Sequence, residues 1–243
     1  MLNILGILGF PVHYYEYIIL VVLYLAVSVS MSFFIGSGYH MKASCKALTE
    51  EKIVSITFDD GPDRNLTPEL LDRLKNHEIA ATFFCIGRKI RGNENLLKRM
   101  QAEGHLIGTH SFSHSNWFDF FSPARMRREL ENSALAVFEA TGKKPILFRP
   151  PYGVINPMLT LALNGSGFHV IGFSNRAWDT SSRKKEIILA RVMKILKPGD
   201  IILLHDTVPE SIEIITNMAE QMKQAGYRIV PLDKLLNIPA YEV

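Results

Sequence analysis

Two cysteines, Cys45 and Cys85, are all that the 243 residues contain, too few for a disulfide framework to carry the fold. Cys85 lies in the apolar run Phe83-Phe84-Cys85-Ile86, the setting of a buried, inert thiol. Charge of one sign is scarce as well. The balance is +3 at neutral pH and the basic residues form no stripe, so nucleic acid has no electrostatic footprint here. The short clusters Arg125, Arg127, Arg128 and Arg183, Lys184, Lys185 fit solvated helix faces. Internal repeats and low-complexity tracts are absent, which excludes a solenoid or a disordered array. No Lys or Arg precedes the first apolar run, so the basic n-region of a cleaved signal peptide is missing, and no small-residue cleavage site follows it.

What the chain does have is one long apolar run and one well-populated core. Ile18 to Ile35 is uncharged and about the length of a membrane-crossing helix. Tyr14, Tyr15 and Tyr17 stand at its start as interfacial aromatics do, and His13 and His40 flank it. An uncleaved anchor is the expectation. Lys42 and Lys46 follow the run and Glu16 precedes it, so the positive-inside rule puts the rest of the chain in the cytoplasm. At 47% hydrophobic residues, the remainder suffices for a single domain. The expected division is residues 1–40 as anchor, 41–51 as juxtamembrane linker and 52–243 as the folded domain.

From Ile53 onward strand and helix patterns alternate. Strands are expected at Ile53–Phe58, Ala81–Ile86, His105–Thr109, Ile146–Arg149, His169–Ser174, Ile201–His205 and Arg228–Pro231. Helices are expected at Thr67–His77, Asn93–Glu103, Pro123–Thr141, Pro157–Gly165, Lys184–Leu196 and Glu210–Ala225. Thr67-Pro68-Glu69 has the cap, N1 proline and early acid of a helix start, and Gly226 is a helix stop. Alternation of this kind implies parallel βαβ units with right-handed crossovers. The fold class is therefore α/β, a distorted (β/α) barrel of about seven parallel strands, preceded by one transmembrane helix.

Chemistry collects where the strands end. Ile53–Phe58 runs into Asp59 and Asp60 and is stopped by Gly61-Pro62. Neighbouring strand residues face opposite sides, so the two carboxylates can serve different roles, and a buried carboxylate asks for a cation, a proton relay or solvent. His110 and His114 follow the strand His105–Thr109 at a spacing that puts both on one face of a helical turn, where they can grip one metal. Taken alone such a pair is more often coincidence. Arg149 and His205, the latter followed by Asp206, also close strands, and the C-terminal strand ends form the reactive face of (β/α) barrels.

Thr57-Phe58-Asp59-Asp60-Gly61-Pro62, His110-Ser-Phe-Ser-His114, Arg149-Pro-Pro-Tyr152 and Leu203-Leu-His205-Asp206 resemble, in this order, the successive motifs of the polysaccharide deacetylases, the NodB-homology domains of carbohydrate esterase family 4. The resemblance covers roughly Lys52 to Leu236 and makes 52–243 a catalytic domain. It implies a metal-dependent hydrolase acting on an acetylated glycan. Asp60, His110 and His114 would hold one divalent ion, zinc first and cobalt, manganese or nickel as alternatives, with open positions for water and a carbonyl oxygen. Asp59 would be the general base and Arg149 its orienting partner. Tyr152 would offer its backbone N–H to the oxyanion. His205 would protonate the leaving amine, Asp179 would support His205, and Leu203 would line the pocket for the acetyl methyl.

The chain departs from the family at Trp178-Asp179-Thr180, where Thr180 stands in the place of an expected tryptophan. The missing indole removes a wall of the acyl pocket, for which Trp178 or Trp117 are candidate substitutes. Trp117-Phe118-Asp119-Phe120-Phe121 is either core under a loop or a platform for sugar rings. His105 reads as a structural histidine, His77 and His169 as surface or strand-edge residues, and Asp206 as a loop cap. The resemblance implies N-deacetylation of amino sugars in a cell-envelope glycan such as peptidoglycan, with the domain outside the cytoplasm despite Lys42 and Lys46. An O-acetyl esterase and a catalytically silent glycan-binding protein are the alternatives. No nucleic-acid or protein partner is implied.

Overall fold

The computed structural model describes residues 14–181 and 184–242. His13 and Arg183, named above, lie outside the described residues. Seven parallel strands form a curled, half-barrel sheet in the order β5-β4-β3-β2-β1-β7-β6. They are β1 (Ile53–Asp59), β2 (Thr82–Cys85), β3 (Leu106–Thr109), β4 (Leu147–Phe148), β5 (His169–Val170), β6 (Asn175–Arg176) and β7 (Ile201–His205). An eighth, β8 (Arg228–Ile229), pairs with the start of β1. The expected α/β class, parallel sheet and N-terminal apolar helix are all present.

β1 occupies the centre because both its faces are apolar enough to be covered. Val54 to Asp59 are buried without alternation, the pattern of a parallel strand sandwiched on both sides. Its register puts Asp59 beside Phe84 of β2 and His205 of β7. Helices pack outside. Pro123–Thr141 has the boundaries expected from its sequence, because both ends carry explicit signals. Ser122 Oγ accepts the N–H of Arg125, and Gly142 closes the helix at φ 72°. The helix buries Met126, Leu130, Ala134 and Val137 along one stripe. Truncating Leu130 to alanine would cost about 2–5 kcal/mol.

The apolar helix spans Tyr14–Ser32, starting before and ending before the expected run, and of its residues Ser32 alone is buried. Its last turn is tied to the domain. Ile155 N–H donates to the Ser32 carbonyl at 3.0 Å, and His40 Nε2 lies 3.1 Å from the Ser28 carbonyl. Ile35 sinks into a cluster with Phe148 and Val170. Residues 41–51, expected as a linker, reach the sheet: Ser44 bridges Ile171 in parallel and Lys46 bridges Asp200 in antiparallel. Short elements that were not expected include β6, the helices Gly87–Ile90 and Leu232–Leu236, and the single turns Phe118–Phe120 and Pro151–Gly153. The stretch expected as one strand, His169–Ser174, stops at Val170, and two residues of β6 are too few to show a period.

Candidate active site

The carboxylate turn after β1 is built by close approach. A Cβ on Gly61 would sit 1.9 Å from Asp206 Oδ2, so only glycine fits there. Asp206 is fully buried and accepts from Thr67 Oγ1 at 2.7 Å. Burial pushes its carboxyl up to about 7. It therefore braces the Asp60-Gly61 turn from behind rather than capping an exposed loop. Lys89 Nζ donates to the Asp60 carbonyl at 2.7 Å, and Asp60 itself sits at φ 75°. This left-handed residue turns the second carboxylate away from the strand.

The two histidines come together on a loop. No helical turn carries them; Ser111 at φ 60° and His114 at φ 46° fold the chain back instead. Glu129 Oε2 pins the loop by accepting from Phe112 N and Ser113 N at 3.1 and 2.7 Å. His110 Nδ1 lies 2.8 Å from the Arg149 carbonyl, which fixes that nitrogen as the donor and leaves Nε2 to face the cavity. Asp60 Oδ1 is 3.3 Å from His114 Nε2 and 3.6 Å from His110 Nε2. It is buried and makes no hydrogen bond. One donor atom from each of the three residues lies within 4.8 Å of the others. Burial, with His110 beside it, lowers His114 to about 4, so its ring is neutral at physiological pH as a ligand must be. An orphaned carboxylate oxygen, two convergent imidazoles and a carbonyl behind one of them fit a divalent cation.

Arg149 leaves the end of β4 and is 1% exposed. Its Nη1 donates to Asp59 Oδ1 at 2.8 Å and to Thr57 Oγ1 at 2.7 Å, and its Nη2 donates to the Gly172 carbonyl. Its guanidinium also lies 4.2 Å over the Phe84 ring. Asp59 Oδ2 is left facing the cavity, 3.8 Å from His110 Nε2. His205 ends β7 beside Asp59, and its Nδ1 is 2.9 Å from Asp179 Oδ1. Asp179 Oδ2 accepts from His205 N–H and from Ser211 Oγ. Burial works to lower His205, but the hydrogen bond and charge of Asp179 outweigh it and hold the imidazole above its ordinary value. Asp179 is held below the usual carboxylate range by the same pair, against its own burial.

Seven of the nine expected residues, Asp59, Asp60, His110, His114, Tyr152, Leu203 and His205, line one cavity of about 230 Å³. Arg149 and Asp179 stand behind it. Volume does not select this site, because a larger cavity of about 380 Å³ beside Leu135 and Phe138 gathers no comparable ligand set. Tyr152 adopts φ 59° in the turn Pro151–Gly153, and its hydroxyl donates to Asn116 Oδ1 at 2.9 Å. Sequence reasoning missed Gly153, Phe173 and Arg176, which complete the wall with Thr180; Phe173 lies in the stretch expected as a strand, and Arg176 lies two residues beyond it, on a strand that was not expected. Trp178 and Trp117 are 40% and 68% exposed and neither lines the cavity, so neither replaces the absent indole. The aromatic patch divides: Phe118 and Phe121 are core, Trp117 and Phe120 are exposed. His105 is structural as expected, its Nδ1 accepting from Ala81 N–H at 3.0 Å.

The family model for polysaccharide deacetylase matches residues 46–171. The chain is similar to a peptidoglycan-N-acetylglucosamine deacetylase of Bacillus cereus, 36% identical over 197 residues, covering 76% of this chain and 89% of that protein. It is also similar to the peptidoglycan-N-acetylmuramic acid deacetylase PdaA of Bacillus subtilis, 32% identical, covering 77% and 73% of the two chains. Among solved structures, the Bc1960 peptidoglycan N-acetylglucosamine deacetylase superposes with a TM-score of 0.77 at 28% identity, covering 82% of this chain and 95% of that one.

Proposed function

The chain belongs to the polysaccharide deacetylase family, and on that premise we propose that it hydrolyses the acetamido group of an N-acetylated amino sugar in a cell-envelope glycan. One observation carries the reading. The buried Asp60 oxygen that makes no hydrogen bond faces two imidazole nitrogens, and an arginine-clamped carboxylate and an aspartate-backed imidazole line the same cavity.

A divalent ion on Asp60, His110 and His114, zinc by the preference of such a donor set, would supply Lewis acidity toward the acyl oxygen. The chain's own groups do the rest. Arg149 occupies Asp59 Oδ1 and so presents Oδ2 to the cavity, where it takes the proton of the attacking water. Asp179 holds His205 by Nδ1 and keeps the ring protonated to higher pH, so that Nε2 delivers a proton to the departing amine. Leu203 is 3% exposed at the cavity wall and receives the acetyl methyl. The Tyr152 backbone N–H donates to the developing oxyanion.

The helix Tyr14–Ser32 carries one charged residue, Glu16, and exposes its apolar side chains. Its 19 residues rise about 28 Å, close to a hydrocarbon core. It serves as a single membrane anchor, with the 52–243 domain on the outer side where an envelope glycan is met. A C-terminal reporter active only in the cytoplasm would overturn that orientation. For the chemistry, the test is acetate release from an acetylated chito-oligosaccharide by the full chain in detergent. Activity is expected to disappear with a chelator and return with zinc. Release of acetate that ignores chelation refutes the mechanism.

A further inference from the structure

Tyr17 to Met41 and Pro150 to Asn175 contain no Asp, Glu, Lys or Arg, and the fold brings these two stretches together. Ile155 N–H reaches the Ser32 carbonyl, and Thr160 Oγ1 donates to the His40 carbonyl at 3.4 Å. The second stretch carries the helix Pro157–Leu163, which buries Leu159, Ala162 and Leu163. Its outward side is apolar as well, with Met158 42% and Leu161 56% exposed. The end of the first stretch exposes Phe33, Phe34 and Tyr39. A surface helix ordinarily turns charge outward; this one has none to turn. Arg127, which reaches it from the neighbouring helix, donates to the Leu161 and Asn164 carbonyls and has the sign that anionic headgroups attract.

Exposed apolar surface of this kind marks a place where something other than water is met, and the level of the face says what. Tyr24, Tyr39, His40, Pro157, Thr160 and Leu161 line one hollow of about 500 Å³. Tyr24 belongs to the apolar helix and precedes its last residue, Ser32, by eight positions, about 12 Å along the axis. The domain therefore does not begin where the helix stops; it runs back alongside the last two turns. A hydrocarbon core of about 30 Å takes up essentially the whole rise of that helix. Domain residues level with Tyr24 to Ser32 then stand at the boundary of the bilayer, where the surrounding material is lipid. The residue types agree, because tyrosine favours the headgroup level and bare apolar side chains the acyl boundary beneath it.

We propose that the outward face of Pro157–Leu163, with Phe33, Phe34 and Tyr39, is seated between the headgroups and acyl chains of the membrane that Tyr14–Ser32 crosses. The assignment rests on the anchor reading above and goes beyond it, giving the domain a second, shallow contact with the same bilayer. It holds for either orientation of the chain. The face is too small to keep the domain on lipid by itself, so the anchor supplies the proximity. Seating also sets the height of the catalytic cavity, because Gly153 of its wall lies four residues before Pro157.

The test reads depth in the full chain, reconstituted into vesicles of phosphatidylethanolamine and phosphatidylglycerol. With Cys45 replaced by alanine and Cys85 fully buried, a nitroxide attaches to Leu161→Cys, or to Ile187→Cys as the control. Ile187 is as exposed as Leu161 but lies on the helix Lys185–Ile195, which packs on β6 and on the helix Pro209–Gln224. Electron paramagnetic resonance compares collisions with lipid-soluble oxygen against those with a water-soluble nickel chelate. The oxygen-to-nickel ratio at 161 should be several-fold that at 187. Adding Met158→Glu should bring it down toward the value at 187, because a carboxylate is costly at that depth. Equal ratios at the two sites, in a chain that floats with the vesicles, would overturn the seating and leave the anchor standing. A chain that does not float would remove the anchor and the seating with it. Dipolar broadening between labels at 161 on separate chains would also overturn the proposal, by assigning the face to a second copy.

Discussion

Replacing Asp179 by asparagine removes the charge behind His205 and leaves the side chain's size unchanged. The carboxylate accepts from the imidazole at 2.9 Å and from the His205 N–H at 2.7 Å in a buried setting. A hydrogen bond to a charged partner contributes about 1.5–3 kcal/mol, and about 1.4 kcal/mol corresponds to one pH unit. His205, held above its ordinary value largely by Asp179, should therefore titrate lower in Asp179→Asn. The sign follows from the role. A general acid must be protonated, so the alkaline limb of kcat/KM marks its loss of a proton and should move to lower pH with it. Near pH 8 the variant should be about 10–100-fold slower, with the deficit shrinking as pH falls. Stability gives a second readout. The pair is charged between the depressed value of Asp179 and the raised value of His205, so its stabilisation is present in that window and fades beyond either end. A pH series of acetate release alongside thermal melts reads both. An alkaline limb that stays in place while activity drops would refute the assignment of His205 as the acid.

Other substitutions separate metal binding from proton transfer. Asp60→Ala and His114→Ala should lose both bound zinc and turnover, while Asp59→Asn should keep zinc and lose at least about 100-fold in rate; metal analysis of the purified variants decides, and an active Asp59→Asn would dismiss Asp59 as the base. Gly61→Ala forces a methyl to 1.9 Å from Asp206 Oδ2, so it should destabilise the fold by more than about 1–3 kcal/mol and depress activity; a variant that melts like the parent would show that the turn relaxes freely. Deleting residues 1–32 should release a folded protein from the membrane fraction, because Ile35 and the Ser44 and Lys46 bridges remain. Deleting residues 1–47 removes that packing and should lower the melting temperature clearly below that of the shorter deletion; equal melting temperatures would show that 33–47 add nothing to the core.

The alternation of strand and helix, the apolar N-terminal helix and the polar residues at strand ends were legible in the residues because each depends on local pattern. Continuous β-branched runs make buried strands, and Ser122 and Gly142 mark helix ends wherever they occur. Order alone also put Asp59, Asp60, His110, Arg149 and His205 at the C-terminal ends of parallel strands. Three features needed the folded chain. The pairing of β1 with β7 sets Asp59 beside His205, 146 positions later in the chain. The His110–His114 pair converges through left-handed loop residues and a distant Glu129, which spacing on a helix does not describe. The cavity wall of Phe173, Arg176 and Thr180 exists only because a two-residue strand packs against β7. Short-range periodicity determines which residues are buried; only long-range pairing decides which buried residues share a cavity, and that is why the polar residues at strand ends could be picked out from sequence while the wall around them could not.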